Sequence, residues 1–113
     1  MSYAIDGFNI TLTRGDALSV RLPLSLDGNE YVLQPGDVVR FALNTADHED
    51  TPILVKELDG YVLTLDSEDT KNLDFGTYLY DVEITFAETG KPLTYIPDNP
   101  NGKAKLKLTW EAD

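Results

Sequence analysis

The amino-acid sequence predicts an all-β domain, a sandwich or barrel of about eight short strands. Apolar and polar residues alternate along most of the chain, which is the pattern of strands that bury one face and expose the other. Turn-forming glycine, proline, asparagine and aspartate separate the alternating runs. These runs cover residues 8–13, 18–26, 39–43, 61–65, 78–86 and 104–110, and less regular runs cover 53–58 and 93–96.

Several short segments have the composition of tight turns or of a helix start. Asp59-Gly60 predicts a β-hairpin, since glycine accepts the positive φ that such turns require. Residues 89–91 predict a second hairpin. Pro23 lacks an N–H and indicates an edge position or a bend in its run. Residues 67–73 are the one helical candidate, at most a short turn, with Ser67 as its N-terminal cap.

One local motif favours a particular sandwich. Residues 74–80 spell Asp-Phe-Gly-Thr-Tyr-Leu-Tyr and open the longest run. In immunoglobulin-like sandwiches, a tyrosine at this corner hydrogen-bonds to the backbone just upstream, and a cysteine follows two residues later. Tyr78 takes the tyrosine position, and Tyr80 stands in place of the cysteine. We therefore predict an immunoglobulin-like β-sandwich of about eight short antiparallel strands. The alternative is that Tyr78 is a core aromatic of another sandwich.

Length and charge limit the partners. The chain has 113 residues, with 9 Lys and Arg against 20 Asp and Glu, a net charge of −11. This length fits a single domain over residues 1–113, with residues 1–6 as a loosely ordered N-terminal segment. Such an acidic chain is unsuited to a phosphate backbone or an anionic membrane, so we expect neither nucleic acid nor membrane as a partner. We also expect no signal peptide, since the N-terminus lacks a basic start and an apolar run.

Candidate catalytic and metal-binding residues are few. His48, the sole histidine, lies in the acidic loop run 47–50, where neighbouring side chains do not by themselves converge on a metal. Residues 98–102 lack the ligand spacing of a calcium loop. Asp81 and Glu83 fall on the polar phase of a strand, which favours solvation over a glycosidase pair. A serine triad would combine His48 with Ser2, Ser19, Ser25 or Ser67, none of which lies in a nucleophile elbow.

We accordingly predict no enzyme, no cofactor, and no catalytic, cofactor-binding or metal-binding residue. Arg14-Gly15-Asp16 is the integrin-binding tripeptide, but we expect it to form a sharp connection between strands, with Gly15 in a special backbone conformation. A sugar-stacking platform is conceivable. Its aromatics fall mostly on the apolar phase, so we expect them in the core; they are Trp110, Tyr31, Tyr61 and Tyr95.

The order of motifs is more informative than any one motif. Thr-Arg-Gly-Asp at 13–16, Gly-Asp-Val-Val-Arg-Phe at 36–41, Ser-Glu-Asp-Thr-Lys-Asn-Leu at 67–73 and Gly-Thr-Tyr-Leu-Tyr-Asp-Val at 76–82 follow one another. The chain thereby resembles the small tail and baseplate-associated domains of bacteriophages and prophages of Gram-positive bacteria, and is similar to the N-terminal domain of upper baseplate proteins. It departs from that group in its long insert at 97–102.

The resemblance implies a non-enzymatic structural protein of a tail, baseplate or related appendage, located in the virion. Its partners would be other phage structural proteins or identical copies, through residues that the resemblance leaves unknown. The alternative is a surface-adhesion module that binds carbohydrate or a cation, which surface aromatics in a groove or converging acidic loops would favour. Because identical copies at −11 repel one another, association is expected to depend steeply on ionic strength.

Overall fold

The computed structural model describes residues 3–6, 8–45, 52–97 and 104–109. The strands and the helix in these ranges follow the alternating runs closely, so the predicted all-β class is confirmed. They are β1 (Tyr3–Asp6), β2 (Asn9–Thr13), β3 (Leu18–Arg21), β4 (Ser25–Leu26), β5 (Asn29–Glu30), β6 (Val38–Asn44), β7 (Leu54–Glu57), β8 (Val62–Leu65), α1 (Ser67–Thr70), β9 (Gly76–Thr85), β10 (Pro92–Ile96) and β11 (Ala104–Thr109).

Among the described residues, seven strands form one large sheet. Their order is β1-β2-β11-β9-β6-β7, and β10 pairs with the C-terminal part of β9, beyond the end of β11. A second sheet consists of β3 and β8, and β4 and β5 form a short ribbon. Inward side chains of both sheets share one buried cluster, with Phe41, Leu63 and Leu106 wholly inaccessible to solvent. The two sheets therefore enclose a common hydrophobic core.

The large sheet is mixed, whereas the sequence predicted antiparallel strands throughout. β11 is antiparallel to β9 but parallel to β2, with Leu106 beside Ile10. A period of two fixes which side chains face the core, but it is the same for both directions of pairing. The strands also outnumber the prediction, because the run 18–26 breaks at Pro23 into β3 and β4, and residues 3–6 pair with β2 as β1.

The two predicted hairpins have different outcomes. Residues 89–91 join β9 to β10, which pair from Thr85 and Pro92 onward, so this hairpin is confirmed. At Asp59-Gly60 the chain makes a tight turn in which Asp59 and Val62 exchange backbone hydrogen bonds of 3.0 and 2.9 Å. The flanking strands then separate, because β7 pairs with β6 and β8 pairs with β3. The predicted hairpin is therefore reduced to one residue pair, Asp59 and Val62, where the chain passes from the large sheet to the β3–β8 sheet.

The helix α1 confirms the predicted short turn with a shifted start. It covers Ser67–Thr70 and does not extend to residue 73. Asp66, not Ser67, is the N-cap residue, and its N–H donates to the Asp69 carboxylate at 2.7 Å. Aspartate and serine are equally favourable at the N-cap, so residue preference does not distinguish Asp66 from Ser67. The extended backbone conformation of Asp66 makes it the N-cap. No helix of the described residues has the length and apolarity to cross a bilayer.

Candidate functional site

The segments that carry the resemblance meet at the two ends of β9. At the N-terminal end, the guanidinium carbon of Arg14 lies 4.0 Å from the centroid of the Phe75 ring, and Nη1 donates to the Leu73 carbonyl at 3.2 Å. The Gly15 N–H donates to Oγ1 of the fully buried Thr70 at 3.0 Å. We call these residues the Arg14 clasp. It ties the β2–β3 turn to α1 and to the segment before β9.

The Arg-Gly-Asp tripeptide is therefore used inside the molecule. Gly15 has a φ of 85°, and the Asp16 N–H donates to the Thr13 carbonyl at 3.0 Å, which closes the turn. The expected sharp connection between strands is confirmed. A recognition tripeptide has to present its arginine to a partner, whereas the Arg14 guanidinium stacks on the chain's own Phe75.

Tyr78 extends this corner of the molecule. Its hydroxyl donates to the Asp74 carbonyl, four residues upstream, at 2.7 Å. This is the hydrogen bond that the sequence motif predicted for a tyrosine corner. Burial is the main cause that raises the pKa of Tyr78, so its hydroxyl remains a donor through the physiological range.

At the opposite end of β9, one carboxylate holds several segments together. Asp37 accepts hydrogen bonds from the N–H of Ala87, the N–H of Gln34 and the hydroxyl of Tyr31, each 2.8 Å long. We call these residues the Asp37 clasp. The bonds from Ala87 and Gln34 lower the pKa of Asp37, and the bond to Asp37 raises the pKa of Tyr31 to about 12. Sequence reasoning missed this role, because Ala87 is 50 residues away from Asp37.

The outer face of the large sheet carries charged side chains on four strands, and one row of them alternates in sign. Arg40 stands between Glu57 on β7 and Glu83 on β9, at one level of the sheet. A shallow cavity of about 300 Å³ lies here, lined by Arg40, Val55 and Asp81 among others. Burial, and then the charge of Glu83, raise the pKa of Asp81. Lys105 and Lys107, which we call the β11 column, lie level with Leu79 and Thr77 of β9 and not with its acids. The other charged side chains of this face are Asp81 and Glu83 on β9, Arg40 on β6, and Glu57 on β7.

A second groove, of about 390 Å³, lies beside β10. Its walls are Phe8, residues 23–25 and residues 93–96, and none of these residues is charged. Phe8 and Leu93 expose 38% and 39% of their surface, which is high for large apolar side chains. We call this the β10 groove. The uncharged run 92–97 was the feature of the sequence that could have pointed to it.

The tyrosines considered for a sugar platform do not form one. Tyr61 and Tyr95 are buried, and Tyr31 is half-buried with its ring edge-on to Phe86, at 5.4 Å between centroids. All three hydroxyls are hydrogen-bonded within the protein. Their expected core packing is confirmed, while Trp110 lies outside the described residues.

The other candidate residues do not assemble either. In the described part of the chain, no group of three or more histidine or acidic side chains could hold a metal ion. Asp81 and Glu83 lie on the outer face of β9, as expected. Asp69, on α1, forms a salt bridge with Lys56 at 3.1 Å. Ser19, Ser25 and Ser67 lie on three different elements. His48 with the run 47–50, the segment 98–102 and Ser2 lie outside the described residues.

Comparison of the chain with protein-family models, with curated proteins and with solved structures finds no match. The case for a function therefore rests on the two clasps, the outer sheet face and the β10 groove.

Proposed function

We propose that this chain is a non-enzymatic structural protein of a phage or prophage tail, baseplate or related appendage, and that it acts through protein–protein assembly. The observation that carries the proposal is the convergence of the resemblance motifs. Segments 13–16 and 67–73 meet in the Arg14 clasp, Tyr78 bonds beside it, and Asp37 holds the other end. Residues that hold one framework together are constrained as a set, which supports the resemblance beyond the order of short motifs.

The proposal includes an immunoglobulin-like sandwich as the framework. The strand order β6-β9-β11 and the separate β3–β8 pair are consistent with the C-F-G and B-E neighbours of that fold. The hydrogen bond from Tyr78 to Asp74, at the start of β9, supports the same assignment because it corresponds to the tyrosine corner.

The outer face of the large sheet supports assembly as the mode of action. The row Glu57–Arg40–Glu83 alternates in sign, and the β11 column adds a separate basic patch, so the face is complementary to a partner with the opposite arrangement of charges. Charges across such a contact steer the partner and fix its register. At a net charge of −11, contact between identical copies would strengthen as added salt screens their repulsion.

The test is the composition of the particle. The strain that encodes the chain is induced, particles are purified on a density gradient, and the chain is quantified by mass spectrometry. We expect a fixed copy number per particle and, by electron cryo-microscopy, a small β-domain in the tail or baseplate. Absence of the chain from intact particles overturns the proposal.

A charge-reversal pair makes the test specific for the outer face. The double substitution Lys105→Glu and Lys107→Glu reverses the β11 column and should reduce incorporation severalfold. Lys91→Glu, at the β9–β10 turn, changes the net charge without touching that column and should incorporate normally. Lys91→Glu changes the net charge by half as much as the double substitution, so losses in that proportion would point to net charge alone.

A further inference from the structure

The strand β10 is an edge strand on the side of the β10 groove. It pairs with β9 through Pro92–Ile96, and no described strand pairs with its other side. The free edge of a strand presents backbone N–H and C=O groups that an extended peptide can bond. The exposed side chains of Phe8 and Leu93 line the same groove as residues 93–96 of β10. Hydrogen-bonding backbone and apolar surface are therefore available together.

Both walls of the groove are held from within by tyrosine hydroxyls. Tyr95 on β10 donates to the Leu22 carbonyl at 2.6 Å, which fixes β10 to the segment that continues into residues 23–25. Tyr80 on β9 donates to the Phe8 carbonyl, which fixes the opposite wall. Burial raises the pKa of both tyrosines, so these donors persist at any physiological pH. Walls fixed in advance reduce the ordering cost of binding.

The charge of the lining restricts what the groove can take. It carries no charged residue, in a chain with 29 charged residues of 113 (9 and 20). The cavity on the outer face, by contrast, includes Arg40, Asp81 and Glu83. A charged side chain entering the β10 groove would lose water without gaining a partner. A second copy of the chain would also bring its net charge of −11 against the same charge, which opposes the approach.

We propose that the β10 groove binds an extended, uncharged segment of a partner protein, which adds as a strand along β10 and packs alternate apolar side chains against Phe8 and Leu93. Pro92 has no N–H to donate, and the pairing register shifts between Thr94 and Ile96. Backbone pairing is thus short, and the apolar side chains contribute most of the affinity. This inference depends on the proposed function in one respect: it takes the partner to be a protein.

The test uses an array of synthetic ten-residue peptides with Val, Leu or Phe at alternate positions and Ser or Thr between them. We expect members of the array to bind the full chain, to shift the backbone amide resonances of residues 93–96, and to slow amide exchange there at least tenfold. The same peptides with Asp in place of Ser and Thr should bind at least tenfold more weakly.

Matched variants locate the site. Leu93→Asp and Ser25→Asp place a charge at two separate positions in the lining of the groove, and each should weaken binding at least tenfold while the amide spectrum shows an intact fold. Val32→Asp alters an apolar side chain that is 72% exposed and lies outside the groove, and it should leave affinity unchanged.

Three results would overturn the inference: no array peptide binds at millimolar concentration, binding survives both groove variants, or sedimentation shows a dimer that Leu93→Asp abolishes. The last result would make a second copy the occupant. Failure here is separable from failure of the proposed function. A chain that is present in particles but binds no peptide refutes this inference alone, and a chain that binds peptide here but is absent from particles refutes the phage role alone.

Discussion

Each of the two clasps joins separate segments at one end of β9, but one is built on hydrogen-bond donors and the other on a hydrogen-bond acceptor. The Arg14 clasp is built on donors, since the Arg14 guanidinium and the Gly15 N–H give hydrogen bonds to Leu73 and Thr70. The Asp37 clasp is built on one acceptor, a carboxylate that receives three hydrogen bonds. β9 has ten residues, a length of about 33 Å, so the clasps are separate.

This difference determines which condition weakens which end. The acceptors of the Arg14 clasp are a backbone carbonyl and a threonine hydroxyl, so this clasp contains no carboxylate that acid could protonate. Asp37 loses its negative charge in acid, so the Asp37 clasp weakens first there. Four experiments test this difference, in decreasing order of the change in stability that we expect.

Gly36→Ala should give the largest loss of stability, about 2–3 kcal/mol. Gly36 has a φ of 89°, and an added Cβ would lie 3.0 Å from the Cβ of Ala87, so it would push apart the segments that Asp37 joins. Gly60→Ala is the matched control, because its φ is 60° and an added Cβ meets nothing within 4 Å. It should cost about 1 kcal/mol in urea unfolding. Equal losses would mean that the contact with Ala87 is unimportant.

Arg14→Met should reduce the free energy of unfolding by about 1–2 kcal/mol, because the stack on Phe75 and the hydrogen bond to Leu73 are lost. Arg14→Lys should recover less than half of the loss, since an ammonium group does not reproduce the planar fork. Lys91→Met, at an exposed position in the turn before β10, serves as the control and should change stability by less than about 0.5 kcal/mol. Full recovery of the free energy of unfolding by Arg14→Lys would show that the positive charge alone accounts for the contribution of Arg14.

Tyr78→Phe should cost about 1 kcal/mol, the typical net value of one hydrogen bond, because it removes the bond to Asp74 and keeps the ring in the core. Chemical unfolding of the purified variant measures it. A neutral result would make Tyr78 a core aromatic and remove one support for the immunoglobulin-like assignment.

The smallest effect is a pH dependence with opposite signs at two aspartates. The pKa of Asp37 is lowered in the folded protein, so its contribution is complete above the unfolded pKa of about 3.9 and is lost as the pH falls through the folded pKa. The pKa of Asp81 is raised, so its ionised form opposes folding at neutral pH, and protonation relieves this as the pH falls.

Melting temperatures between pH 2 and pH 7 check both signs, because the folded pKa of Asp37 lies below its unfolded value. Asp37→Asn should lower the melting temperature at pH 7 and should make the melting temperature decrease less as the pH is lowered. Asp81→Asn should raise the melting temperature at pH 7 and have little effect at pH 3. An unchanged acid slope in Asp37→Asn would show that the Asp37 clasp does not control the acid response.

The local features of this protein follow from its amino-acid sequence alone. The period of two identified the buried faces, so that Phe41 on β6 and Val82 on β9 face the core as predicted. The turn at 89–91 and the bond from Tyr78 to Asp74 were also predictable, because each joins residues close in the chain. Local geometry and short-range hydrogen bonding are sufficient for such features.

The tertiary structure, through contacts between residues distant in the chain, fixes how these pieces combine. It set β2 parallel to β11, sent the strands around Asp59-Gly60 into different sheets, and brought Gly15 to Thr70 across 55 residues. It also left β10 as an edge beside an uncharged groove. Alternation is the same in every strand and for both directions of pairing, so it does not determine which strands pair. The observed pairing is the arrangement that buries both sheets in one core and satisfies the backbone hydrogen bonds at the strand ends.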